Sequence, residues 1–257
     1  MNILHTVFFR ALQIAALVAL WQLLHSFTKS VFFTSPAEVA KAFWQLSTVG
    51  DMQGITLQRN MWASLIRVLH GFAWGLLTGI PLGLLLGLSA PAYRWLKIII
   101  EPVRFIPPLA WVPLAIIFLN GEARYAFIIW LGTFFPVLIT TMSGVHSVDR
   151  SLWEVGQTFR GTRLQLIWKI VLPSSAPHIT AGARLGLGTG WACIVAAEMI
   201  GGESVGIGRM IVNYGELIRL DAVVVGMIVI GLLGYFLNEM LLGLERYCFP
   251  WQRKVKM

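Results

Sequence analysis

The chain has 257 residues, of which 57% are hydrophobic and 12% charged, with a formal net charge of +8. A soluble domain carries about 25% charged residues, so this composition excludes a water-soluble globular protein and points to a chain folded in lipid. The basic residues lie in short polar stretches and form no hydrophilic domain. That speaks against a nucleic-acid partner and for the charge bias that orients proteins in a bilayer.

In chain order, apolar stretches predict spans over 8–28, 62–88, 95–119, 124–143, 174–200 and 222–247. The expected fold is therefore an all-α membrane protein, a polytopic bundle of about six transmembrane helices. The first stretch reads as an anchor, because Leu24-His25-Ser26-Phe27 offers no small-residue cleavage site. After it, Ser35-Pro36-Ala37-Glu38 opens a short amphipathic helix through Trp44, with proline at the first helical position. A second short helix is expected near 206–217, at the opposite interface. Residues 1–58 then hold the first span and the amphipathic helix, 59–248 form the transmembrane core with its polar segment 149–172, and 249–257 are a basic tail.

In the second span Gly71, Gly75, Gly79, Gly83 and Gly87 recur every fourth residue, and Gly182, Gly186 and Gly190 repeat the pattern in the fifth. Small residues at this spacing let helix backbones approach closely in lipid, so both rows are expected to pack helices within a dimer or its core. Gly186-Leu187-Gly188-Thr189-Gly190 lacks the strand-to-helix context of a nucleotide loop, and no G-x-x-x-x-G-K-[ST] occurs. The chain has no ATP motif of its own.

Ionisable side chains at membrane depth are candidates for function. Glu101 and Arg104 share a helix face and can pair. They lie in Glu101-Pro102-Val103-Arg104-Phe105-Ile106-Pro107-Pro108, where three prolines interrupt backbone bonding, and broken backbone in a membrane lines a cavity or is buried in protein. Trp111 follows closely. Arg184, Trp191 and Glu198 fall nearly on one face of the fifth span, with Arg184 and Glu198 ~21 Å apart at 1.5 Å per residue. For Arg184 the plain alternative is snorkelling to headgroups, for Glu198 capping a neighbouring helix, and for Arg104 a purely structural pair. Cys193 and Cys248 fall in spans and no C-x-x-C spacing exists, so neither redox chemistry nor a metal site is expected.

Between the fourth and fifth spans, residues 151–173 are neither apolar enough to cross nor irregular enough to be a linker. Ser151 with Glu154, and Thr162 with Gln165, each fit a capping box, and Gly161 suits the left-handed residue that ends a helix. Leu152, Val155 and Phe159 recur at helical spacing, as do Leu164, Ile167, Trp168 and Val171. Two short amphipathic helices joined by a basic turn, lying on the membrane surface, are predicted: the form of a docking element for another protein. With the amino terminus cytoplasmic, Arg10, Arg94, Lys97, Arg150, Arg160, Arg163, Lys169, Arg246, Arg253, Lys254 and Lys256 fall inside. Lys29, Lys41, Arg59, Arg124, Arg209 and Arg219 fall outside. This asymmetry favours both termini and the docking segment in the cytoplasm.

The run Glu154-Val155-Gly156 followed by Ile170-Val171-Leu172-Pro173 resembles the cytoplasmic loop of bacterial ATP-binding-cassette importer permeases. Pro107-Pro108-Leu109-Ala110-Trp111, Gly182-Ala183-Arg184-Leu185-Gly186, Val195-Ala196-Ala197-Glu198-Met199-Ile200 and Gly206-Ile207-Gly208 are similar to the nitrate, sulfonate and taurine branch, above all the taurine and alkanesulfonate permeases. The resemblance runs from about residue 20 onward. It implies the type I importer permease fold, a homodimer in the bacterial inner membrane, and a periplasmic binding protein that delivers a small anionic solute. It also implies two ATPase subunits, which hold ATP and magnesium and receive the coupling loop built on Glu154, Gly156, Arg160, Gly161, Thr162, Arg163, Leu172 and Pro173. One departure is visible: the glycine of the family's turn falls at Arg160, and Gly161 comes one later. Nitrate, bicarbonate or a thiamine-precursor pyrimidine are the alternative cargoes. A stand-alone secondary transporter is the alternative class, though paired halves and several acidic residues at depth are not evident.

Overall fold

The computed structural model describes residues 3–28 and 33–248, and among these every regular element is helical. Lys29 and the basic tail 249–257, with Arg253, Lys254 and Lys256, lie outside the described residues, as do the side chains of Arg10 and Cys248. The chain forms two compact units, one from residues up to Ala63 with Ser204–Gly231, the other from Ser64–Glu203 with the chain from Leu232 onward.

The first unit holds α1 (Ile3–Thr28), α2 (Pro36–Thr48), the first turns of α3 (Leu57–Leu88), α10 (Ile207–Glu216) and the first half of α11 (Leu220–Cys248). Ser35 caps α2: its hydroxyl accepts from the Glu38 amide while the Glu38 carboxylate accepts from the Ser35 amide. The bond from the Ser35 amide, with the Ser35 hydroxyl beside it, keeps the Glu38 carboxyl below its ordinary range. Trp21 Nε1 donates to Thr34 O at 3.0 Å, tying α1 to the start of α2. Buried Asn60 accepts from the Gly206 amide at 2.8 Å and so anchors the start of α10. Ile218 follows α10 with φ 57, an uncommon conformation for a β-branched residue.

The second unit is built around α6 (Glu122–His146). Along α3, Gly71, Gly75, Gly79, Gly83 and Gly87 meet Ile129, Thr133, Val137, Thr141 and Val145 of α6 in turn. The offset is constant, so the two helices run parallel with a row of glycines against a row of β-branched side chains. There is no room to spare: a Cβ at Gly83 would lie 2.7 Å from Thr141 Cβ, and one at Gly87 2.6 Å from Val145 Cβ. Gly182, Gly186 and Gly190 of α9 (Leu172–Ile200) meet Thr140, Thr133 and Ile129 of α6 in descending order, so α9 runs antiparallel to it, and Ile129 and Thr133 are shared by the two glycine rows. The glycine rows pack helices of one chain, where the sequence left a dimer contact equally open. Pro81, Pro136 and Pro177 sit inside helices, and the carbonyl of Gly132, which Pro136 leaves without its amide partner, accepts from the Thr189 hydroxyl of the neighbouring helix.

Three sequence expectations are modified. The stretch 95–119 is no single helix: α4 (Ala90–Arg104) and a short turn at Pro108–Trp111 leading into α5 (Val112–Phe118) are bent by 86°. Pro107 and Pro108 impose the break, because neither has an amide to donate. Helix α8 (Arg163–Leu166) is not a separate element either. It widens into a π-helical turn at Ile167–Val171 and continues into α9, the wide turn lying just ahead of the ring of Pro173. Among the described residues four helices are long and apolar enough to cross a membrane, five if the bent pair is one span, while the apolar part of α1 is Leu12–Thr28, a shorter stretch.

Candidate functional site

Helix α7 (Arg150–Thr158) begins at Asp149, whose carboxylate accepts from the Ser151 amide at 2.9 Å. That bond holds the Asp149 carboxyl below the usual carboxylate range. The expected capping box of Ser151 with Glu154 is therefore not formed. The helix starts two residues earlier, where the shorter acidic side chain reaches the orphan amide, and Glu154 instead pairs with Arg150 one turn back at 3.1 Å. The second box is present: Thr162 Oγ1 accepts from the Gln165 amide and Gln165 Oε1 from the Thr162 amide.

The turn between them also differs from the sequence reading. The left-handed residue is Arg160, with φ 54, and not Gly161. The Arg160 amide donates to Gln157 O at 2.8 Å and the Gly161 amide to Gly156 O at 3.1 Å. These two bonds form the Schellman closure, in which the residue after the cap must turn left-handed. The family-like glycine position is thus conformationally intact but filled by arginine. Gly161 is needed for approach, since a Cβ there would lie 3.0 Å from Gly156 O and 3.1 Å from Leu166 Cδ2. Gly156 has the same role: a Cβ there would run into Leu166 Cδ2 and come within 2.8 Å of Ile170 Cδ1. Buried Leu166 fills the gap between the two glycines and locks α7 onto α8.

What this hairpin leaves outside is apolar. Leu152, Val155 and Phe159 on one face of α7 are exposed, Phe159 to 82%, and Leu164 and Trp168 of the next helix are exposed as well. Arg160, Thr162 and Arg163 add exposed polar groups, while Leu172 and Pro173 are half-buried at the start of α9. A rigid, capped hairpin with an uncovered apolar ridge has the form of a partner contact.

At the α4–α5 break, Arg104 Nη2 pairs with Glu101 at 2.9 Å, as the i, i+3 spacing predicts. Arg104 Cζ stands 4.9 Å from the Phe105 ring centre, and its Nε is buried without an acceptor. Arg104 borders an open cavity of about 450 Å³ lined by the Phe105–Leu109 loop, α6 and α9. Trp111 does not line it; it stacks edge-on against Phe127, which continues through Trp130 to Phe134 in an aromatic row.

The remaining candidates of the fifth span lie elsewhere. Trp191 is buried against Gly234 of α11, where a Cβ would lie 3.0 Å from the indole Nε1. Arg184 lies 3.6 Å from Glu245 of the same helix. Glu198 is 1% exposed and belongs to an ion network: Ser64 Oγ donates to both its oxygens at 2.8 and 2.9 Å, and Arg67 Nη1 donates to it at 2.9 Å. Arg67 also grips Glu122 with Nε and Nη2, both at 2.7 Å, and lies 4.4 Å over the Tyr125 ring. One buried arginine thus ties α3, α6 and α9 together. The sequence analysis did not single out Arg67. Asn60, Ser64, Arg67 and Gly71, alternately four and three apart on one face of a lipid-length helix, are the signal that marks it.

Apolar helices of membrane-crossing length, joined by glycine rows and interrupted by one exposed amphipathic hairpin, define a polytopic membrane permease. The chain belongs to the family described as the binding-protein-dependent transport system inner membrane component, whose model matches residues 79–250. It is an ATP-binding-cassette importer permease of type I. It is 36% identical to a putative ABC transporter permease of Methanocaldococcus jannaschii, over 94% of this chain and 91% of that protein. It is 35% identical to the taurine transport system permease TauC of Escherichia coli (88% and 82% covered) and 33% identical to the nitrate import permease NrtB of Synechocystis (95% and 90%). The fold matches a solved inward-facing structure of the MetNI methionine ABC transporter with a TM-score of 0.66, at 18% identity, covering 74% of this chain and 95% of that one.

Proposed function

We propose that this permease forms a homodimer and carries a small anionic solute, delivered by a periplasmic binding protein, across the inner membrane at the expense of ATP hydrolysed by two separate ATP-binding-cassette subunits. Both termini and the α7–α8 hairpin face the cytoplasm. The observation that carries this reading is the exposed ridge of Leu152, Val155 and Phe159 on a hairpin fixed by the Asp149 cap, the Schellman turn and Leu166. A ridge held this firmly transmits a push from a bound subunit as a rigid-body displacement. Because α8 runs without interruption into α9, such a displacement reaches the helix that packs on α6 and lines the Arg104 cavity. The chain supplies no phosphate loop, so ATP and magnesium belong to the partner.

For the path itself, Arg104 offsets the charge of the passing anion and Glu101 holds it oriented between substrates. Unpaired charge is costly in hydrocarbon, and a fixed cation lowers that cost. Taurine and alkanesulfonates are the favoured cargoes, with nitrate, bicarbonate and a thiamine-precursor pyrimidine as the alternatives. The test is co-purification of the chain with a candidate ATP-binding-cassette subunit from the same organism, followed by ATP hydrolysis in lipid nanodiscs. Hydrolysis requires both proteins and is lost with Gly156→Trp, which wedges α7 off α8. Hydrolysis by the purified chain alone, or unchanged docking by that variant, contradicts the proposal.

A further inference from the structure

Among the described residues two side chains other than glycine have a left-handed backbone, Ile218 and, at the tip of the α7–α8 hairpin, Arg160. The place Arg160 fills, just after a helix end, is one that glycine ordinarily takes. A side chain there brings its Cβ against the following carbonyl, a cost that glycine escapes. The side chain gives the fold nothing in return: it is exposed and makes no ion pair or side-chain hydrogen bond among the described residues. Its surroundings are cationic. Residues 149–172 carry Arg150, Arg160, Arg163 and Lys169 against Asp149 and Glu154. Both acids are engaged, Asp149 with the Ser151 amide at 2.9 Å and Glu154 with Arg150 at 3.1 Å. Directly before Arg160 stands Phe159, 82% exposed, the most exposed side chain of the apolar ridge.

We infer that Arg160 sets which subunit docks: its guanidinium pairs with a carboxylate of the ATP-binding-cassette subunit at the rim of the groove that takes Phe159. This names the chemistry of the partner in the docking proposed above and rests on that reading. A backbone conformation held against its preference, with a side chain the fold does not use, marks a residue kept for an outside contact. A subunit that covers Phe159 strips water from the neighbouring guanidinium, which then needs an anionic acceptor on the covering surface. The apolar ridge alone fits any subunit with an apolar groove. The arginine narrows the choice, since a groove with a cation at that point repels it and a groove with no acceptor leaves it unpaired.

Arg160→Gly separates the two roles, because one substitution both relieves the turn and removes the charge. The experiment measures the affinity of a candidate ATP-binding-cassette subunit from the same organism for the full chain in nanodiscs, with amide exchange at Gly161 alongside. Exchange should slow while docking weakens about ten-fold or more. Arg160→Lys and Arg160→Gln both keep a side chain on the left-handed backbone and differ in charge, so the lysine variant should dock several-fold more tightly. This pair decides the matter if Arg160→Gly disturbs the turn. Arg160→Glu should dock most weakly of all. Each exposed carboxylate of the ATP-binding-cassette subunit is then changed to lysine, and one such change should restore docking of Arg160→Glu while weakening docking of the unaltered chain. Equal docking by the lysine and glutamine variants, or no lysine change that restores Arg160→Glu, overturns the inference. Phe159→Ser tells the two levels apart. Docking lost with Phe159→Ser but kept with Arg160→Gly overturns the role of Arg160 alone, whereas docking indifferent to Phe159→Ser, or absent in the unaltered chain, overturns the importer reading with it.

Discussion

Arg67 offers the sharpest test of how the core of the permease is held. Its guanidinium is 6% exposed and serves two carboxylates of opposite character: Glu198 at 1% exposure and Glu122 at 68%. Arg67→Met removes the cation that Glu198 faces and keeps the Ser64 hydroxyl bonded to it. Breaking a buried pair from one side costs about 3–5 kcal/mol. Glu122→Gln loosens a pair whose acid is largely in solvent, worth about 0–1 kcal/mol. At about 2–4 °C per kcal/mol for a chain of this size, Arg67→Met should lower the melting temperature in detergent by about 6–20 °C and Glu122→Gln by a few degrees at most. The double variant Arg67→Met with Glu198→Met should regain much of the loss, since an apolar pair of similar volume replaces a buried ion pair nearly neutrally. Thermal unfolding followed by circular dichroism is the assay. If Arg67→Met is no more damaging than Glu122→Gln, the buried pair with Glu198 does not hold these helices together.

Gly75→Leu should destabilise the fold more than Gly231→Leu, because Thr133 stands against Gly75 while a Cβ at Gly231 has open space; equal melting shifts would mean the glycine row is not a contact. Arg160→Gly should stabilise α7 by about 0.5–1 kcal/mol, since it relieves a left-handed residue costing about 1–2 kcal/mol but loosens the unfolded chain; slower amide exchange at Gly161 is the readout, and faster exchange would contradict it. The Asp149 carboxyl titrates below the ordinary carboxylate value. Its cap is therefore complete from neutral pH down to the unfolded pKa and is lost only as pH falls through the lower folded one. Carbon-13 NMR of the labelled carboxyl checks this, and a value at or above that of a free aspartate would refute it.

The parts legible in the sequence are those whose signal is local. In lipid, close backbone approach replaces the hydrophobic drive, so Gly71 to Gly87 announced a packing face directly. The row it packs against was not legible, because Ile129, Thr133, Val137, Thr141 and Val145 look like any apolar span until α6 is placed beside α3. The Thr162–Gln165 box was legible for the same local reason. The start of α7 was misread because Asp149 competes with Ser151 for the cap and wins by reaching the Ser151 amide. The turn was misread because glycine is the usual left-handed residue, and here the Schellman bonds force that conformation on Arg160 while packing against Leu166 claims Gly161. Glu198 was seen as a charge at depth, but its partner Arg67 lies 131 residues away and Glu122 lies 55 residues from Arg67. No single-sequence spacing pairs them.

The central claim is that the ridge on α7 receives the subunit that hydrolyses ATP. A photoreactive phenylalanine analogue placed at Phe159, in membranes that contain the ATP-binding-cassette subunit and the binding protein, tests it directly. The account predicts a cross-link to the ATP-binding-cassette subunit from position 159, and none from a control at exposed Tyr235 in α11. A cross-link from position 159 only to lipid, or to a second copy of the chain, would contradict it.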